Sequence, residues 1–140
     1  MRIFQKLLVL PAFPRGCHLI SDCLEEALPE LADIKTGLVQ LFLQHTSASL
    51  SINENADPTV RTDLESILRA LVPDDSGEYR HDYEGSDDMS AHAKSSLLGC
   101  SLLLPLSSGR FNLGTWQGIY LCEHRNHGGQ RRILATILAN

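Results

Sequence analysis

The pattern of hydrophobic and polar positions is clearest in LVQLFLQH, residues 38–45. Val39, Leu41 and Leu43 alternate with polar or aromatic positions. A period of two predicts a β-strand with one buried face. His45 ends that apolar face, so an ionisable ring is expected where the strand leaves the core.

Other short apolar runs bounded by turn residues predict further strands. They cover residues 2–10, 17–20, 48–53, 100–106, 115–123 and 131–139. Turns are predicted at Ser107-Ser108-Gly109 and at His127-Gly128-Gly129. The strand at 115–123 is largely apolar on both faces, so both faces are expected to be covered, and another subunit could provide one cover.

Three helices are predicted, over residues 21–31, 57–71 and 90–99. Asp57-Pro58 is the clearest start, because aspartate is a good N-cap and proline suits the first helical position. Ser90 is the predicted cap of the third helix, and Gly99 ends it. The order of elements predicts an α+β fold of mostly antiparallel strands in a single domain, residues 1–140.

Composition and charge narrow the functional classes. The chain is 43% hydrophobic and 21% charged, as in ordinary globular proteins, and its net charge of −5 disfavours general nucleic-acid binding. Residues 53–90 contain eleven acidic residues and three arginines, whereas residues 110–140 contain four arginines and one acid. The first region suits metal ions and the second suits small anions. No apolar run approaches the ~20 residues of a membrane span.

The cysteines predict free thiols in a reducing cytoplasm. Cys17, Cys23, Cys100 and Cys122 form no C-x-x-C pair, and no secretory signal precedes them.

The segment QHTSASLSINENAD, residues 44–57, concentrates polar groups between a predicted strand and a predicted helix, where binding residues often lie. His45, together with His81, His92 and a carboxylate, would be a usual set for zinc or a similar divalent ion. The spacing matches no short metal motif such as H-E-x-x-H. Each histidine alone also fits a structural role: His45 bonded to a backbone carbonyl, His81 in an exposed loop and His92 in an exposed first helical turn.

Each candidate carboxylate likewise fits either a functional or a structural role. Asp57 is explained by capping, and a functional role is equally open. Glu54 has no local structural role, so it could orient an imidazole or ligate a metal. Glu123 ends an apolar strand face, where an unpaired carboxylate would be costly, so it should find an arginine, a histidine or a metal. Arg131 and Arg132 lie across the predicted turn and would give a structural ion pair.

Two other segments carry candidate polar groups. The acidic residues Asp82, Glu84, Asp87 and Asp88 are expected to form a solvated loop. The turn HRNHGGQRR could cradle phosphate with its backbone amides and arginines, although it is not a P-loop. Ser47 as a nucleophile lacks an oxyanion-hole or elbow motif.

Three long blocks, HTSASLSINENADPTVRTDLE, YRHDYEGSDDMSAHAKSSLLG and GTWQGIYLCEHRNHGGQRR, resemble the YjbQ-type family, uncharacterised protein family 47. The resemblance covers essentially the whole chain. It implies an α+β fold with a two-sheet β-sandwich and a homotrimer about a threefold axis. The family's polar motif positions fall on His45, Thr46, Asn53, Glu54, Asp57, His81, His92, Gln117, Glu123 and Arg132.

Family members are often labelled secondary thiamine-phosphate synthase. That reaction joins a pyrimidine pyrophosphate to a thiazole phosphate and releases pyrophosphate. The resemblance therefore implies a cytoplasmic enzyme acting on a small phosphorylated metabolite, with no nucleic-acid or membrane partner. The alternative is a non-catalytic metal- or metabolite-binding homotrimer.

The expected roles follow from this resemblance and from the residue types. The expected catalytic residues are His45, Glu54, His81, His92 and Glu123. Those expected to bind substrate or phosphate are Thr46, Asn53, Gln117, Arg131 and Arg132. His45, His81 and His92 are the expected ligands of a divalent metal ion, zinc or magnesium.

Overall fold

Eight β-strands form two antiparallel sheets in the structure, a computed structural model that describes residues 1–140. In chain order they are β1 (Arg2–Leu10), β2 (Gly16–Leu19), β3 (Thr36–Leu43), β4 (Ala48–Glu54), β5 (Ser101–Ser107), β6 (Arg110–Phe111), β7 (Gln117–Glu123) and β8 (Arg131–Ala139). The larger sheet has the order β1-β8-β3-β5-β6, and the smaller has the order β2-β7-β4. The predicted α+β fold of mostly antiparallel strands is confirmed.

Three α-helices accompany the sheets: α1 (Ser21–Ala27), α2 (Pro58–Leu71) and α3 (Asp88–Leu98). The predicted first helix is too long, because α1 ends at Ala27 and a 3-10 turn follows from Pro29 to Asp33. Proline disfavours the helical conformation of the residue before it, and Leu28 lies outside the helical region. None of the helices is long and apolar enough to cross a membrane.

The core lies between the two sheets. Val39, Leu41 and Leu43 of β3 are buried there, as their alternation predicts. Ile119 and Leu121 of β7 are buried in the same core from the smaller sheet.

Strand β7 is covered on both faces, as predicted, but both covers come from this chain. Its core face belongs to the layer between the sheets. On its other face Tyr120 and Cys122 pack with Cys17 of β2 and Leu68 of α2. The suggestion that a second subunit covers this strand is therefore wrong, because α2 already lies on it.

The uncovered apolar surface belongs instead to the larger sheet. The residues that alternate with its buried positions are exposed on its outer face, and the strand register places them side by side. The exposed apolar members are Ile3, Leu7, Val9, Leu38, Phe42 and Leu103. We call this surface the outer face of the larger sheet.

Candidate functional site

Helix α3 begins two residues before the predicted cap. Asp88 is its first residue and Asp87 is its N-cap, while Ser90 lies inside the helix and donates a hydrogen bond to Asp74. The earlier start places Asp88 and His92 four residues apart, on the same face of one helix.

His92 is held in a defined orientation. Its Nδ1 lies 2.8 Å from the carbonyl oxygen of Thr46, and its Nε2 lies 3.1 Å from Oδ2 of Asp88. A carbonyl oxygen can only accept, so Nδ1 carries a proton. In the neutral ring, Nε2 is then an acceptor that faces a carboxylate. Such an arrangement requires a proton or a metal cation between the two atoms.

His81 approaches the same carboxylate from the preceding loop. Its Nε2 lies 2.7 Å from Oδ2 of Asp88 and 3.6 Å from the carboxylate of Glu84. The donor atoms of His81, Glu84, Asp88 and His92 all lie within 4.8 Å of one another. We call these four residues the His–carboxylate cluster.

Asp88 is the buried centre of the cluster, with 2% of its surface exposed. Its Oδ1 accepts a hydrogen bond of 2.7 Å from Arg125, which also contacts Asp87 at 3.2 Å. Burial raises the pKa of Asp88, but the hydrogen bond with His81 and the charge of Arg125 act against it, and the pKa lies below its usual value. The expectation that this acidic segment is a solvated loop is therefore wrong for Asp87 and Asp88.

The cluster fits a transition-metal ion. Zinc takes imidazole nitrogen and carboxylate oxygen ligands at about 2.0–2.2 Å in four-coordinate sites, and the cluster offers two of each. The Thr46 carbonyl fixes which nitrogen of His92 is free, and Arg125 orients Asp88, as outer partners do in metal sites. Magnesium prefers oxygen ligands, so two imidazoles make it the poorer match.

His45 does not belong to this cluster. Its Nε2 accepts a 2.8 Å hydrogen bond from the backbone N–H of Arg132. Burial, followed by the charges of Arg131 and Arg132, lowers the pKa of His45. The structure thus corrects the expected set of metal ligands. Asp88 and Glu84 lie beside His81 and His92, in place of the expected His45. As considered from the sequence, His45 forms a structural hydrogen bond with the backbone. Its partner is an N–H donor, however, and not the expected carbonyl.

Glu123 and Arg131 form the predicted ion pair. Arg131 donates to both carboxylate oxygens, at 2.7 and 2.6 Å, and also to Ser47. Glu123 is fully buried. Arg131 is therefore already neutralised, which removes it as a phosphate-binding group and leaves Glu123 with a structural role.

The glycine turn that follows β7 packs against the same carboxylate. A Cβ atom placed at Gly128 would overlap the Glu123 carboxylate. The contact gives the turn a packing role beside the Glu123–Arg131 pair, and the phosphate cradle stays a prediction.

Residues of the β4–α2 junction make local contacts rather than cluster contacts. Asp57 caps α2 by accepting hydrogen bonds from the N–H and hydroxyl of Thr59, as predicted. Glu54 accepts from the Asp57 N–H at 3.2 Å, and Asn53 accepts from the Glu54 N–H at 2.8 Å. Glu54 thus has a local structural role that its sequence context does not reveal.

Four expected binding residues are exposed, namely Thr46, Asn53, Gln117 and Arg132. Thr46 reaches the cluster only through its backbone carbonyl. Gln117 accepts a 2.8 Å hydrogen bond from the Gly114 N–H, and the Arg132 side chain is exposed. None of these side chains belongs to the His–carboxylate cluster.

Sequence reasoning missed Glu84, Asp88 and Arg125 as site residues. A signal for Asp88 was available in its four-residue spacing from His92. No local signal existed for Arg125, which reaches α3 from the β7–β8 connection, 37 residues away in sequence.

The fold and the cluster define an α+β two-sheet protein with a candidate transition-metal site at the start of a helix. A profile for the family described as "UPF0047 protein YjbQ-like" matches residues 6–140. The chain belongs to this YjbQ-like family.

Individual relatives agree with this assignment. The UPF0047 protein YjbQ of Escherichia coli O157:H7 is 56% identical over 134 residues, which cover 96% of each chain. A conserved hypothetical protein of Thermus thermophilus has a similar solved structure, with a TM-score of 0.80 at 37% identity, covering 96% of this chain and 99% of that one. An uncharacterised conserved protein of Clostridium acetobutylicum gives a TM-score of 0.82 at 33% identity, covering 95% and 99%. None of these names states a reaction.

Proposed function

We propose that this protein is a divalent-metal-dependent enzyme, with zinc as the preferred ion, that acts on a small phosphorylated metabolite in the cytoplasm. The observation that carries the proposal is the position of His92. Its Nδ1–H is donated to Thr46 while its Nε2 faces Asp88 beside His81. The lone pair of His92 Nε2, the Asp88 carboxylate and the His81 imidazole therefore converge on one point.

Formation of thiamine phosphate is proposed as a secondary reaction. The thiazole nitrogen would attack the pyrimidine methylene carbon, and the carbon–oxygen bond to pyrophosphate would break. A bound divalent ion would stabilise the negative charge that develops on the leaving diphosphate. His81, His92 and Asp88 would hold the ion, and Arg125 would keep Asp88 ionised and oriented.

Metal analysis and genetic rescue test this proposal together. Protein purified without an affinity tag should contain stoichiometric zinc, and His92→Ala should lose most of it. The same substitution should abolish rescue of a strain that lacks its ordinary thiamine phosphate synthase. His127→Ala is the matched control, because His127 is exposed and lies outside the cluster.

Two outcomes would contradict the proposal in different ways. Equal zinc content in wild type and His92→Ala would show that the His–carboxylate cluster is not the metal site. Equal rescue by both proteins would show that the cluster is not needed for the reaction.

A non-catalytic metal-binding homotrimer is the second candidate. The cavity beside His81 has a volume of only about 150 Å³, and ligand pockets are usually about 300–1,000 Å³. The homotrimer itself is proposed for either candidate, since the outer face of the larger sheet carries six exposed apolar side chains. Zinc that is bound without turnover of any phosphorylated substrate would favour the second candidate.

A further inference from the structure

A groove of about 480 Å³ lies between β2 and α2. It contacts β2 and no other strand, and none of its lining residues belongs to the His–carboxylate cluster. Arg15, Arg61, Arg69 and Glu65 supply its charged side chains.

The groove is positively charged within an acidic protein. Its lining carries three guanidinium groups and one carboxylate, and because Asp74 neutralises Arg15 from outside the lining, one net positive charge remains, whereas the whole chain carries −5. Arg69 donates to Glu65 at 2.7 Å, and Arg15 lies 3.3 Å from the same oxygen. The single carboxylate is therefore already shared by two arginines.

Arg61 is the guanidinium without a carboxylate partner. It forms no ion pair, and its Nη1 is buried without a hydrogen bond. The Arg15 side chain is 5% exposed and pairs with Asp74, and its Nε lies 3.3 Å from Glu65 Oε1 without a hydrogen bond. The second Glu65 oxygen, Oε2, is also buried without a partner. A buried donor without an acceptor is uncommon and costly, so Arg61 Nη1 points to an acceptor that occupies the groove.

The open edge of β2 adds a backbone donor. The hydrogen bond from Ile20 N–H to Ile119 O marks these two residues as a hydrogen-bonded pair of the β2–β7 ladder. Such pairs alternate in an antiparallel ladder, so Cys17 and Cys122 form a non-hydrogen-bonded pair. Because β2 is an edge strand, the Cys17 N–H points away from β7, and Cys17 is one of the residues that line the groove.

We propose that this groove binds a phosphoryl group through Arg61, Arg15 and the Cys17 N–H. The net positive charge of the groove attracts an anion, and guanidinium groups offer the forked donors that phosphate oxygens accept. The ligand is inorganic phosphate or the phosphate of a small phosphomonoester. This site does not rest on the proposed metal-dependent activity.

Calorimetric titration with inorganic phosphate at low ionic strength tests the site. Arg61→Gln should weaken binding by at least about tenfold, the usual effect of losing charge-assisted hydrogen bonds. Arg80→Gln is the matched control, because Arg80 is exposed, lies outside the groove and should leave the affinity unchanged. Titration with glycerol phosphate in parallel distinguishes a phosphomonoester from free phosphate as the source.

Three further readouts keep the test decisive. Phosphate should shift the amide signal of Cys17 in a ¹⁵N spectrum. Arg69→Gln, on the exposed end of the groove, should weaken binding even if Arg61→Gln fails to fold. His92→Ala should bind phosphate like the wild type, which separates this site from the metal cluster.

Equal loss of affinity in Arg61→Gln and Arg80→Gln would overturn the proposal, because it would indicate only general charge attraction. Loss of phosphate binding in His92→Ala with none in Arg61→Gln would place the anion at the metal cluster and overturn it as well.

Discussion

His124 is the only buried histidine among the six in the chain. Its Nε2 lies 2.7 Å from the Ser49 hydroxyl, and its Nδ1 is buried without a partner. Burial, followed by the nearby charges of Lys94, Arg15 and Arg131, lowers the pKa of His124 from 6.5 to about 3. The ring therefore stays neutral in the folded protein at any pH near neutrality.

This burial predicts a pH-dependent stability. Between pH 6.5 and 3 the unfolded chain binds a proton at His124 that the folded chain does not bind. The free energy of unfolding should therefore fall as the pH drops below 6.5, by up to roughly 1 kcal/mol per pH unit from this group. Urea denaturation at pH 7 and about pH 5 should show a smaller loss in His124→Gln than in the wild type.

The exposed His127 provides the control. His127→Gln should keep the pH dependence of the wild type. An identical loss of stability in His124→Gln and the wild type would show that His124 is not the group that titrates.

At the scale of elements, the sequence pattern was sufficient to predict the structure where contacts are local or follow the two-residue period of a strand. The alternation in β3 identified its buried face, and Asp57-Pro58 identified the start of α2. Glu123 and Arg131 were paired correctly because a short turn brings them together. Local pattern failed at the start of α3, where the earlier helix start puts Asp88 on the same helical face as His92.

The candidate site was only partly predictable for a physical reason. His81 and His92 meet through a loop that has no periodicity, and Thr46 joins them from 46 residues away. Spacing along the chain carries no information about such contacts. His45 was grouped with them by residue type alone, and its backbone hydrogen bond depends on the position of β8, which only the folded sheet determines.

The β7–β8 connection predicts a position-specific effect of a single methyl group. Gly128→Ala would place a Cβ atom against the Glu123 carboxylate and disturb its pairing with Arg131. We expect the free energy of unfolding to fall by about 1–3 kcal/mol, as in other overpacked sites. Urea denaturation measures this change directly.

Gly77→Ala is the matched control, because a Cβ at Gly77 meets no atom within 4 Å. Its effect should remain within about 0.5 kcal/mol. If both substitutions had the same small effect, the turn would be able to move away from Glu123 at little cost.

At the scale of the whole molecule, the helices cover only part of the surface of the two sheets. Helix α2 packs on the smaller sheet, and the outer face of the larger sheet is left with six exposed apolar side chains. An exposed apolar surface of this kind is typical of an association site. It supports the proposed homotrimer at a different location from β7, the strand that the sequence suggested.

Two leucines of equal exposure allow a matched test of this association. Leu103 lies on the outer face of the larger sheet and Leu71 ends α2, and both are 67% exposed. Sedimentation velocity should find a trimer for the wild type and for Leu71→Glu, but smaller species for Leu103→Glu, because a buried unpaired carboxylate destabilises an apolar interface. A wild-type monomer at micromolar concentration would refute the homotrimer. A trimer in Leu103→Glu would mean that the subunits associate through another surface, and the exposed strands would then need a different partner.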